Sequence, residues 1–73
     1  MQIPNCAYYY YYHWTHGAGR VTEIDEKGKW VNLTFDVIPS DVDRFPELRD
    51  YVQVVVTVKD YEITDCRVLA AKV

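Results

Sequence analysis

Hydrophobic and polar positions alternate most regularly between Lys29 and Ile38. Val31, Leu33, Phe35 and Val37 share one parity, while Trp30, Asn32, Thr34 and Asp36 share the other. A period of two predicts a half-buried strand with the first set in the core. Val52 to Val58 repeats the pattern, with Val52, Val54, Val56 and Val58 inward and Gln53, Val55 and Thr57 outward. Arg20 to Ile24 and Cys66 to Val73 add two further β-type segments. In the last, Cys66, Val68 and Ala70 face one side and Arg67, Leu69 and Ala71 the other. Val21 and Ile24 have opposite parity, so either one is exposed or a bulge re-phases the strand.

Breakers separate these segments. Gly17-Ala18-Gly19 suits a tight turn, and Asp25-Glu26-Lys27-Gly28 is a turn with glycine where a positive φ is useful. Pro39-Ser40-Asp41 ends the best strand, and Asp41 to Tyr51 has room for a helical turn or structured loop. Its Phe45 and Leu48 are expected to plug one end of the core. A polar connection is expected from Lys59 and Asp60, through Tyr61 and Glu62, toward Asp65.

Ala7 to His16 contains five consecutive tyrosines, Tyr8 to Tyr12, followed by His13 and Trp14. Aromatic residues favour the pleated surface of a sheet, so this run predicts a long strand. Cys6, Tyr8, Tyr10, Tyr12 and Trp14 then share one side, and Ala7, Tyr9, Tyr11, His13 and Thr15 the other. The second set is the more polar and is expected to face outward.

Five strands with one helical segment between the third and fourth predict an all-β fold. The expected architecture is a small five-stranded OB-like barrel over residues 1–73, with an SH3-like barrel as the rival. Gly19-Arg20-Val21-Thr22-Glu23-Ile24, Phe35-Asp36-Val37-Ile38-Pro39-Ser40-Asp41-Val42 and Val52-Gln53-Val54-Val55-Val56-Thr57-Val58 carry a family likeness. They resemble the glycine-valine opening, Ser-Asp corner and late valine-rich strand of the cold-shock and S1 type of OB domain. The resemblance implies single-stranded nucleic acid bound across an aromatic sheet face. The aromatic and basic RNA-binding motif of cold-shock proteins has no counterpart here, so no binding residues are carried over from it.

Composition narrows the function classes. At 49% hydrophobic and 26% charged the chain is globular, and its apolar runs are too short and too interrupted for a membrane span. The first residues lack the pattern of a secretory signal, which makes a cytoplasmic location the expectation. A net charge of −3 argues against a protein that grips duplex DNA through phosphates. Asp36 to Asp50 concentrates acidic groups, so an anionic ligand should avoid it. Cys6 and Cys66 lie near opposite ends of the chain and read either as two buried thiols or as a disulfide across neighbouring terminal strands.

His13 and His16 fall on opposite faces of a strand and read as strand-end residues rather than metal ligands. Few nucleophile–base pairs are available, and no phosphate-cradling loop is present; no catalysis, metal or cofactor is expected. What remains is an aromatic face. Tyr9, Tyr11, His13 and Trp30, with Arg20 and Lys29 nearby in sequence, form the candidate binding platform. Stacked bases of single-stranded RNA or DNA are one partner, and a protein partner or second copy of the chain is the alternative.

Overall fold

The strongly alternating segments pair with each other at the centre of a sheet. The computed structural model describes residues 3–17 and 20–70. In chain order these form α1 (Asn5–Thr15), β1 (Val21–Lys27), β2 (Trp30–Asp36) and α2 (Pro39–Arg44). A 3-10 turn (Pro46–Leu48), β3 (Tyr51–Lys59) and β4 (Glu62–Ala70) follow. The strands make one antiparallel sheet in the order β1-β2-β3-β4. Among the described residues the sheet has four strands and does not close, so neither the five-stranded OB-like barrel nor the SH3-like barrel is formed. A helical segment does separate the two central strands, as expected.

The expected parities hold through the middle of the sheet, except that Val55, expected outward, is buried. Leu33, Phe35, Val54, Val56 and Val58 are buried on one face. The opposite face is open, and its directly opposed residues satisfy one another across β2 and β3. Thr57 Oγ1 donates to Asn32 Oδ1 at 2.6 Å, Gln53 Nε2 donates to Asp36 Oδ1 at 3.4 Å, and Lys59 Nζ stands 4.8 Å from the centre of the Trp30 ring. Three register shifts adjust the strands, the third of them between Thr57 and Val58 of β3. One between Val21 and Glu23 re-phases β1, and Ile24 is exposed as well, so both expected outcomes of the Val21–Ile24 parity occur. Another between Tyr51 and Gln53 leaves Val52 exposed instead of inward.

The tyrosine run is a helix, and this is the main correction to the sequence reading. A four-stranded sheet with one apolar face must bury that face under another layer. Ile3, Cys6, Ala7, Tyr10 and Trp14 recur at helical spacing, and all of them pack into or against the core. Packing of that stripe outweighs the β preference of individual tyrosines, since helical stability in proteins comes chiefly from tertiary burial. Pro4 precedes the first turn, and Gly17 closes the last with φ +76° and its N–H on the Trp14 carbonyl at 3.0 Å. The rest of the expected 17–19 breaker lies outside the described residues, as does the expected end of the last strand at 71–73.

The hairpins are tighter than expected. Lys59 pairs with Glu62, so the polar connection toward Asp65 reduces to Asp60-Tyr61, and Glu62 to Asp65 belong to β4. Lys27 pairs with Trp30 across Gly28-Lys29, where Gly28 takes φ +63°. After β2, Leu48 is fully buried and Phe45 half-buried against the core, sealing its end as predicted.

Asp41 joins three parts of the molecule. It is 2% exposed, and its Oδ2 accepts the Tyr10 hydroxyl at 2.9 Å and the Ile38 N–H at 3.2 Å. The second bond caps α2 from its first turn, where a carboxylate also suits the helix dipole. Arg20, just before β1, lies 3.8 Å from the same oxygen. The Tyr10 ring meanwhile stacks on Phe35 with centroids 5.1 Å apart.

Tyr10 and Tyr12 would share a face in a strand but are separated in the helix, at 5% and 59% exposed. Tyr10→Ala should therefore cost about 3–5 kcal/mol in urea denaturation, while Tyr12→Ala should stay within about 0.5 kcal/mol. Equal losses at both positions would contradict the helix. The Tyr10 hydroxyl gives a separate test. Burial and the Asp41 carboxylate push it well above its ordinary value of 10.0, so the fold favours the neutral phenol. That contribution is complete below about pH 10 and is lost as pH rises beyond it. Tyr10→Phe should cost about 1–3 kcal/mol at neutral pH and make stability less sensitive to alkali above pH 10.

Candidate aromatic groove

The platform expected from sequence is divided among four places. Tyr9 is half-buried on the flank of α1 that meets α2, edge-on to Phe45 at 5.2 Å with the Arg44 guanidinium 5.2 Å from its ring centre. His13 sits above it, its ring 4.2 Å from that of Tyr9 and its Nδ1 donating to the Tyr9 carbonyl at 2.9 Å. Arg20 is with Asp41. Trp30, 43% exposed, lies on the open face of the sheet, with the sheet itself between it and the helix. Tyr9 and His13 thus stay together on one flank of α1, and Tyr11 and Lys29 come together elsewhere.

They do so in a groove between the C-terminal half of α1 and the near end of the sheet. Its volume is about 340 Å³, and it is mostly apolar. Tyr11 and Trp14 form the helix side, Val31, Leu33 and Val58 the floor, and Tyr61 the far wall. Lys29 and Asp60 add one cation and one carboxylate to the lining. A shallower hollow of about 380 Å³ continues past Tyr11 and Tyr61 to Tyr8, Glu62 and Ile63. The helix geometry explains the composition of this surface. Tyr8 and Tyr11 are three residues apart and Trp14 three more, so they line one flank of α1.

By sequence Tyr61 falls within the polar connection that leads toward Asp65. It is 91% exposed, and it occupies a two-residue hairpin loop in which Asp60 has φ 50° and Tyr61 φ 65°. Both angles are those of a type I′ turn, whose second position normally belongs to glycine because a Cβ is strained there. A bulky aromatic in that conformation is unusual, and it stands over the groove. The sequence signal was available: two β-type runs separated by Asp-Tyr, with the smaller turn residue replaced by an aromatic.

The two histidines bond within their own segment. His16 Nδ1 donates to the Tyr12 carbonyl at 2.8 Å, as His13 does one turn earlier. Among the described residues no three His, Cys, Asp or Glu side chains are grouped to hold a metal ion. No helix there is long and apolar enough to cross a membrane. In comparisons with known proteins, no family model, no curated protein and no solved structure matches the chain.

Proposed function

We propose that the chain is a non-catalytic binding module that takes an apolar or aromatic side chain of a protein partner into the groove between α1 and the β3–β4 turn. The observation that carries this reading is Tyr61, an exposed ring retained at a turn position where glycine would be less strained. The groove has a volume at the lower end of the roughly 300–1,000 Å³ usual for binding pockets. Its Tyr and Trp walls are the residue types that dominate interaction hot spots, and Lys29 and Asp60 add one donor and one acceptor to orient a partner backbone.

Stacking of single-stranded nucleic acid has weaker support. Among the described residues Lys29 is the one cation lining the groove and is offset by Asp60, with Glu62 in the adjoining hollow. Trp30 and Lys59 form a second aromatic–cation pair, but on the other face of the sheet. Bases could not pass continuously from one to the other.

The turn itself supplies a test of stability against function. Tyr61→Gly should raise stability by about 1 kcal/mol, seen as a higher midpoint in urea, because it relieves a left-handed side chain. Unchanged or lower stability would remove the argument from strain.

Peptides selected from a random displayed library on the immobilised chain should carry an aromatic or large aliphatic anchor. Their affinity should fall at least tenfold, about 1.4 kcal/mol, on Tyr61→Gly or Tyr11→Ala and stay unchanged on Trp30→Ala. Short oligo(dT) and oligo(U) serve as competing probes. Salt-sensitive binding of those strands that is lost on Trp30→Ala would replace the protein reading with the nucleic-acid one.

A further inference from the structure

The seam where α1 lies on the sheet carries one cysteine from each side. Cys6 belongs to the buried stripe of the helix. Cys66 stands opposite Val56 in the β3–β4 register, and Val56 is fully buried on the helix-covered face, so Cys66 points toward α1 as well. Both thiols lie in the same hydrophobic cluster between α1 and the sheet, Cys6 within it and Cys66 packed against it, and both are free. Cys6 is held below the ordinary thiol range by the hydrogen bond from Cys66, against opposing effects of burial and the Glu47 carboxylate. Cys66 is raised by that same bond to Cys6 and then by burial. The first proton lost from the pair therefore leaves a thiolate supported by its neighbour's S–H, which is the arrangement that makes a dithiol reactive.

Access comes from the strand side. β4 is an edge strand, Cys66 is only half-buried, and Arg67 to Ala70 beyond it are exposed. Local opening of such an edge needs less than global unfolding and uncovers Cys66 before Cys6.

We propose that Cys6 and Cys66 are a site of reversible oxidation, where a small-molecule disulfide of the glutathione type closes an intramolecular bond that clamps α1 to β4. Opening of the β4 edge parts Cys66 from Cys6 and relieves its burial, and the exposed Cys66 thiol gives its proton to solvent. Its sulfur attacks one sulfur of the reagent, breaking the reagent S–S bond, forming a mixed disulfide and expelling one reagent thiolate. Cys6, after losing its proton, attacks the Cys66 sulfur of that mixed disulfide and expels the second reagent thiolate. The protein loses two protons and two electrons, and the reagent leaves as two thiols. The bond closes a loop of about 60 residues, long enough to restrict the unfolded chain strongly. This inference stands apart from the groove reading.

The test equilibrates the full chain with oxidised glutathione and measures intact mass, iodoacetamide labelling, size and Tm. The expected product is two hydrogens lighter than the reduced chain, takes no label, elutes at the size of the reduced chain and melts at least ~5 °C higher. Dithiothreitol should reverse all four changes. Cys66→Ala, at a half-buried site, should fold and lose the reagent-dependent rise in Tm. Two labelled thiols after equilibration, a stable glutathione adduct, or a disulfide between two chains would overturn the proposal. So would a rise in Tm that persists in Cys66→Ala.

Discussion

Tyr10 is the contact through which the helix, the sheet and the connecting segment are held in one arrangement. Its ring lies on Phe35 in the middle of β2, and its hydroxyl reaches Asp41 in the first turn of α2. The same carboxylate caps α2 and faces Arg20 at the entry to β1. A buried carboxylate is tolerated only when its oxygens are satisfied, so the hydroxyl, the backbone N–H and the guanidinium must all be in place. Once they are, the angle at which α1 crosses the sheet is restricted. That restriction decides what else the helix can cover.

The crossing leaves part of the apolar face uncovered. At the N-terminal half of α1, Cys6 and Ala7 fill the seam completely. Toward the C-terminal half the helix and the near end of the sheet diverge, and Val31, Leu33 and Val58 become the floor of a groove. The aromatic flank of α1 and the strained Tyr61 turn then border apolar surface that the fold itself does not close. Candidate binding and structural stability thus draw on neighbouring turns of one helix: Tyr10 supports the fold, and Tyr11 and Trp14 line the groove.

The two faces of the sheet divide chemistry as well as solvent exposure. On the open face, opposed residues of β2 and β3 satisfy one another through hydrogen bonds and one cation–π contact. On the covered face, polar groups are few and each has a specific partner: Tyr10 with Asp41, and Cys6 with Cys66. No buried side-chain nitrogen or oxygen among the described residues lacks a hydrogen bond.

Local alternation by itself determined β2 and β3 and the inward set Leu33, Phe35, Val54, Val56 and Val58. These were legible because a period of two is a property of neighbouring residues and survives whatever packs above them. Phe45 and Leu48 were legible as a plug for a similar reason, being the apolar residues of a segment bounded by prolines and charge. The tyrosine run was not decided locally. Its intrinsic preference is for a strand, and Ile3, Cys6, Ala7, Tyr10 and Trp14 become a helical stripe only when a sheet face needs cover. With the helix misread, the parity that grouped Tyr9, Tyr11, His13 and Trp30 had no physical basis, and the platform dispersed. The groove, the role of Tyr61 and the meeting of Cys6 with Cys66 depend on how α1 crosses β3 and β4. Those contacts join residues far apart in the chain, so only the tertiary structure could decide them.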